Sequence, residues 1–279
     1  MQFFQGKGGI SGDGVPSNVK TINFGQKHCV GKISFLSASG APVYNGVAGD
    51  VFAFGIVPVP PEARVHLHCS IEGACDLSPL ENLEPDDLEY IGLERCEMED
   101  FQLKHMIHLS SLKSLNLHGT YLSEFGFAFV GALRRLQSLN LGNSRIADPA
   151  MAKLASMNLE TLNLGGTCVS DAGLALIANM SSLQHLILPD GITDDGMKAI
   201  AGMNLKTLTL AETKVTDTGL AHVGNMRSLE ILTLPPAATD AGLTALFNLH
   251  LEILYVGASK CTKEGLAEVR ASGIAEFTI

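Results

Sequence analysis

NLETLNLGGTCVSDAGLALIANM, Asn158 to Met180, recurs almost unchanged as NLKTLTLAETKVTDTGLAHVGNM at Asn204 to Met226. Between them lies a variant, SLQHLILPDGITDDGMKAIAGM. Each copy reads leucine, two residues, leucine, one residue, leucine, then an apolar residue and a Ser/Thr-Asp-x-Gly run. Self-similarity at a fixed period decides architecture before any local propensity does.

The leucine triplet occurs nine times. It runs from Leu88/Ile91/Leu93 through Leu112/Leu115/Leu117, Leu136/Leu139/Leu141 and Leu159/Leu162/Leu164 to Leu183/Leu186/Leu188. It continues as Leu205/Leu208/Leu210, Leu229/Leu232/Leu234, Leu251/Leu254/Val256 and Ile274/Phe277/Ile279. The step between copies is nearly constant, alternating between a slightly longer and a slightly shorter spacing from Leu136 onward, so the growth unit is a pair of repeats. Counting back one step from Ile91 and Leu93 lands on Leu67 and Cys69, which makes VHLHC a degenerate first strand.

This spacing and pattern resemble a leucine-rich repeat over Leu88 to Ile279. The resemblance implies an α/β solenoid with a parallel concave sheet and convex helices. The Ser/Thr-Asp-x-Gly-Leu ending is most similar to the cysteine-containing repeats of F-box substrate adaptors and to related bacterial repeats. The family's Cys or Asn after the strand is here Cys96, Thr120, Ser144, Thr167 or Thr213. No F-box helix bundle is recognisable in positions 1–90.

Residues 1–57 do not fit the repeat. Val19–Phe24, Val30–Leu36 and Val51–Val57 read as short strands between Gly, Asn and Pro turns. The stiff PVPPEA connector, Pro58 to Ala63, ends this part. The expected division is a β-rich N-terminal cap, 1–63, and a solenoid, 64–279. A unit this small is marginal alone and gains by covering the first repeat's open core. Glycines Gly6, Gly8, Gly9 and Gly12 match neither phosphate-loop spacing and read as a turn-rich entry.

Within a repeat, strand alternation points Leu162 and Leu164 inward and Asn163 outward. The return segment reads as a helix whose buried face is Leu174, Ile177 and Met180. Asp148, Asp171, Asp194, Asp217 and Asp240 recur at one constant step. Pro149 follows Asp148, and proline favours the first helical position, so these aspartates are expected to be helix N-caps. Gly126, Gly173, Gly196, Gly219, Gly242 and Gly265 follow the cap and are expected to let adjacent turns pack closely.

Net charge is −10, which argues against a nucleic-acid partner and against an anionic membrane surface. No apolar run reaches the ~18 residues of a membrane span. Cys29, Cys69, Cys75, Cys96, Cys168 and Cys261 show no disulfide framework, so reduced thiols in a cytoplasmic protein are expected. Glu72 to Asp100 holds eleven carboxylates against Arg95 alone and reads as a solvated face or an acidic docking patch.

No nucleophile-elbow, HExxH, Walker or paired CxxC pattern is present. His28 and Cys29 are adjacent and point apart on a strand. His66, His68, Cys69 and Cys75 have zinc chemistry, but Cys69 faces the core, so neither a metal site nor any cofactor is expected. What remains is the concave sheet, with His68, Asn116, His118, Asn140, Asn163, His185, Thr209 and Tyr255 as candidate protein-binding residues. The expected function is a non-enzymatic scaffold for another protein or a peptide. The alternatives are a substrate-recruiting adaptor or bacterial effector of ubiquitin-ligase type, and a metal-dependent enzyme using the N-terminal unit. The last strand, Ile274/Phe277/Ile279, has no polar cap after it, which predicts homodimerisation through its edge.

Overall fold

The structure is a computed structural model. It describes residues 20–25, 30–37, 51–53, 56–60, 62–69, 76–271 and 276–278. The glycine-rich entry at Gly6 to Gly12 lies outside the described residues, as do Ile274 and Ile279 of the expected dimer edge. Four short strands come first: β1 (Thr21–Asn23), β2 (Gly31–Leu36), β3 (Val51–Phe52) and β4 (Ile56–Pro58). The repeat strands follow, beginning with β5 (Arg64–Cys69), β6 (Tyr90–Gly92), β7 (Ser114–Asn116), β8 (Ser138–Asn140) and β9 (Thr161–Asn163). They continue with β10 (His185–Ile187), β11 (Thr207–Thr209), β12 (Ile231–Thr233), β13 (Ile253–Tyr255) and β14 (Glu276–Thr278). All ten repeat strands pair in parallel, in sequence order, and β2 and β3 extend the same sheet antiparallel from β5. The molecule is an α/β leucine-rich-repeat solenoid.

Register is set by the leucines. Leu67, Ile91, Leu115, Leu139, Leu162, Leu186, Leu208, Leu232 and Leu254 pair one above another, and all are buried. A one-residue slip would turn every one of them to solvent, so the side-chain period of two fixes the pairing. The VHLHC segment does form the first parallel strand. Of the three N-terminal strands expected, the third is two: β3 pairs with β2, and β4 pairs with β1. Strand pairing and a single buried core both run across residue 63.

Strands return through short helices: α1 (Glu124–Val130), α2 (Asp148–Leu154), α3 (Asp171–Ile177), α4 (Asp194–Ile200), α5 (Asp217–Val223), α6 (Asp240–Leu243) and α7 (Lys263–Ala271). Two 3-10 segments, Ser78–Asn82 and Asp100–Met106, serve the earliest turns. Helices of about seven residues do not stand alone in water. They exist here because Leu174, Ile177 and their equivalents are buried against the sheet.

The N-cap assignment needs correction. Asp171, Asp194, Asp217 and Asp240 are the first residues inside their helices, and the caps are Ser170, Thr193, Thr216 and Thr239. Each cap hydroxyl accepts from the backbone N–H two residues on. Asp148 likewise lies inside α2, whose cap is Ala147, and Pro149 occupies the second helical position. The aspartates instead serve the next repeat. Asp171 Oδ1 accepts from Thr193 N at 2.9 Å and Oδ2 from Thr193 Oγ1 at 2.6 Å. Asp148 binds Ser170, Asp194 binds Thr216, Asp217 binds Thr239 and Asp240 binds Thr262 in the same bidentate way. Asp100 does so to Ser123 one turn earlier. The repeating glycine makes room for this staple. A Cβ on Gly173, Gly196, Gly219, Gly242 or Gly265 would collide with the preceding repeat's Asp Oδ1.

After β7, β8, β9 and β11 a buried hydroxyl closes the turn. Thr120, Ser144, Thr167 and Thr213 donate to the carbonyls of Leu117, Leu141, Leu164 and Leu210. The turns after Leu188 and Leu234 lack that hydroxyl and instead carry a proline directly after the leucine, at Pro189 and Pro235.

The acidic segment is not a uniformly solvated face. Asp87 is buried with Oδ1 3.2 Å from Lys20 Nζ, tying the N-terminal strands to the solenoid. Glu81 pairs with the buried His105 at 2.5 Å, and Glu89 lies between Lys113 (2.9 Å) and Arg64 (3.8 Å). Glu97 and Glu99 remain exposed.

Candidate functional site

Because the inward positions are taken by leucine, the outward positions of β5–β13 form continuous columns on the concave face. The columns change character along the solenoid. At the head, Tyr90 stacks against His66 with ring centroids 5.0 Å apart and leans on His68 at 4.9 Å. Tyr90 Oη donates to Glu94 Oε1 at 2.9 Å, and Asn116 Nδ2 donates to the same oxygen at 2.6 Å. Gly92 permits this crossing, since a Cβ there would stand 2.7 Å from Glu94 Oε2 and 2.9 Å from Tyr90 Oη.

Burial, opposed by the Asn116 hydrogen bond and helped by Glu94, pushes the Tyr90 hydroxyl up to about 12. The phenol is therefore a fixed neutral donor. Burial, then the neighbouring charges of His68 and Arg64, hold His66 below its usual range, with Glu89 opposing. Cys69 points to the core beside Leu67, and His28, Cys29 and Cys75 lie outside the described residues. Among the described residues no three His, Cys, Asp or Glu side chains converge as a metal site. Burial also pushes the Cys261 thiol up, away from a nucleophilic thiolate.

The asparagine column comes next. Asn116, Asn140 and Asn163 accept through Oδ1 from the backbone N–H of His118, Gly142 and Gly165, at 3.1, 3.0 and 2.9 Å. A backbone N–H demands an acceptor, so these bonds fix which end of each amide is oxygen. The Nδ2 ends are then left for other partners. Asn116 spends its own on Glu94, and among the described residues no hydrogen bond joins one of these asparagines to another. Nearby, the Asn143 amide lies 3.3 Å from His118 Nε2.

Beyond β9 the face mixes polar side chains with large apolar ones. His185 bonds Thr207 Oγ1 at 3.0 Å, and Thr209 and Thr233 occupy the central column. Ile187 and Tyr255 are exposed, and Ile231 and Ile253 are half-buried beside them. The structure therefore gathers His68, Asn116, His118, Asn140 and Asn163 on the first half, and sets His185, Thr209 and Tyr255 apart on the second. Sequence reasoning passed over Tyr90 and Glu94. Moving the Ser114 column back one repeat lands on Tyr90, so the register alone carried that signal.

Two adjoining concavities lie at the head, of about 310 and 480 Å³. Both include Glu89 and Lys113, already paired with each other, and Gln137, which donates to Glu160 at 2.9 Å. The smaller adds His66 and Tyr90, and the larger adds Arg134 and Arg135.

No family model matches the chain, and no curated protein matches it. It is similar in structure to an internalin (inlF) from Listeria monocytogenes, at 18% identity and a TM-score of 0.45, over 73% of this chain and 70% of that one. It is also similar to internalin C2 of the same organism, at 20% identity and a TM-score of 0.44, over 64% and 83%. Among the described residues no helix is long and apolar enough to cross a membrane.

Proposed function

We propose that the protein is a non-enzymatic scaffold whose concave sheet binds an extended segment of another protein. One observation carries this reading. Asn140 and Asn163, at outward positions of β8 and β9, have their oxygens committed to the N–H groups of Gly142 and Gly165, which leaves their amide N–H groups for another acceptor. Such a row offers donors at fixed spacing to the carbonyls of a main chain laid across the strands. Tyr255 and Ile187 supply apolar contact at the other end, and aromatic side chains are the usual anchors of an interface.

We further assign the repeats to the cysteine-containing type. The supporting feature is the buried hydroxyl at Thr120, Ser144, Thr167 and Thr213, in the register position that Cys96 holds in its own turn. Residues 1–63 act as the cap of the first repeat in this reading. A reducing compartment fits the free thiols at Cys69, Cys96, Cys168 and Cys261.

The test is differential capture. Wild type, an Asn140→Ala/Asn163→Ala variant and a Leu176→Ser variant on the helical face are used as baits, with bound proteins identified by mass spectrometry. The expected result is a partner lost with the asparagine variant and kept by Leu176→Ser. Identical sets from wild type and the asparagine variant would overturn the concave-face reading.

A further inference from the structure

Away from the concave face, two successive turns carry large aromatics that packing does not require. Phe125 is 80% exposed, Tyr121 61% and Phe101 46%. Phe101 and Phe125 hold the second position of their helical segments, one repeat apart. The same position is Ala172, Asp195, Thr218 and Ala241 in later turns. The fold thus accepts small or polar groups there, and the rings are not explained by burial. Three exposed aromatics together are unusual on a free surface and mark a contact site.

The repeat register places their surroundings. Glu97 precedes Tyr121 by one repeat, and Glu99 stands one repeat before Ser123, the residue stapled to Asp100. Glu124 adjoins Phe125. Glu97, Glu99 and Glu124 are all exposed. Two of the rings already carry a cation from this chain. Lys104 Nζ lies 5.6 Å from the Phe101 centroid, and Arg145 Cζ lies 5.0 Å from that of Tyr121. Among the described residues no cation covers Phe125, the most exposed ring.

We propose that this surface docks a basic segment of another protein, seating a Lys or Arg over Phe125 between Glu99 and Glu124, with an adjacent apolar side chain against the surface of Phe101 and Tyr121 that Lys104 and Arg145 leave open. A cation over an aromatic face gains from the ring quadrupole, and flanking carboxylates strengthen the site. Charge also decides among occupants. Lys104 and Arg145 are already seated on Phe101 and Tyr121, so the charge beside the uncovered Phe125 ring is that of Glu99 and Glu124. A second copy docked patch to patch would set these two glutamates against themselves, and an anionic lipid surface would meet them directly.

The experiment is selection of a displayed random dodecapeptide library on the full chain, with counterselection on Phe125→Ser. Phe125 is exposed, so the variant folds, which an unchanged melting temperature checks. The expected peptides carry Lys or Arg beside Leu, Ile or Phe. They lose about tenfold or more in affinity to Phe125→Ser and to Glu99→Gln/Glu124→Gln, and they bind more weakly at high salt. They keep their affinity for Asn140→Ala/Asn163→Ala, which separates this site from the concave face. Failure to select any peptide that distinguishes wild type from Phe125→Ser overturns the proposal. So does selection of acidic peptides, or Phe125-dependent binding to phosphatidylcholine vesicles without peptide binding.

Discussion

The seam between α1 and α2 and the seam between α4 and α5 have the same leucine interior and different edges. At the second, Asp194 reaches forward to the N–H and hydroxyl of Thr216, and Gly219 leaves space for the carboxylate. At the first, every member of that set is replaced at once. Glu124 stands where the aspartate would be, Ala147 replaces the hydroxyl cap, and Ala150 replaces the glycine. Pro149 completes the substitution, because it removes the N–H that a cap hydroxyl would have served. The staple is therefore a unit written across two repeats. Losing one member removes the reason for the others, and Ala is the better helix former once no carboxylate needs the room.

If the interior is common to both regions, deleting a core leucine should not tell them apart. Leu139→Ala and Leu208→Ala are each expected to cost about 3 kcal/mol in denaturant titrations, the usual range for a fully buried leucine. A twofold difference would show that the edges, not the leucines, set local stability. The glycine should separate the regions sharply. Gly219→Ala drives a methyl group into Asp194 Oδ1 and to 2.5 Å from Val215 Cγ1, so a net loss of about 2 kcal/mol is expected despite alanine's helix propensity. Ala150→Gly at the unstapled seam removes no carboxylate contact and is expected to cost only about 1 kcal/mol. Equal effects would mean that the glycine column is a packing device unrelated to the staple.

These contrasts also show how far the sequence could be read. The leucine period made the solenoid, its register and even the β5 strand legible, because burial of one side of a two-residue alternation leaves a single solution. The aspartate and glycine columns were equally visible, and their spacing was right. Their role was not, because spacing within a chain does not say which of two neighbouring helices a carboxylate serves. Pro149 reinforced the error, since it sits at the second helical position instead of the first. On the concave face the asparagines were legible as outward residues. The commitment of their oxygens was not, because it depends on the N–H two residues on. The Tyr90–Glu94–Asn116 cluster needed contacts between repeats that no single repeat encodes.

The carboxylate itself gives a smaller contrast. Asp194→Ala leaves the Thr216 N–H and hydroxyl without their acceptor, and about 1 kcal/mol is expected to be lost, while Glu124→Ala stays within about 0.5 kcal/mol. Acid should reproduce this at the last staple. The Thr262 hydroxyl first, and its backbone N–H second, hold Asp240 below its ordinary 3.8. A lowered carboxylate stabilises the fold fully above its unfolded value and ceases to do so as pH falls through its folded value. The melting-temperature advantage of wild type over Asp240→Asn is thus expected to be constant near neutrality and to shrink at pH below 3.8. An advantage that persists unchanged in acid would mean that ionisation of Asp240 contributes nothing.

Installing the staple where it is missing is the smallest and most demanding test. Glu124→Asp alone shortens a side chain with no hydroxyl to meet, and Ala147→Ser alone adds a hydroxyl facing Pro149, which has no N–H to give. Ala150→Gly alone loses about 1 kcal/mol of helix propensity. With all three in one chain, the shortened carboxylate at position 124 would accept from the backbone N–H and the new hydroxyl at position 147, as Asp171 does from Thr193. Charge-assisted bonds at a partly exposed seam gain about 1 to 2 kcal/mol, which offsets the glycine and leaves a net gain of a few tenths to about 1 kcal/mol. The sign of the coupling is the informative quantity. The triple variant should exceed the sum of its single variants by about 1 kcal/mol or more in a mutant cycle. Strict additivity would mean that these columns are independent positions that happen to share a period, and Pro149 would then be an ordinary helix start with no bearing on its neighbours.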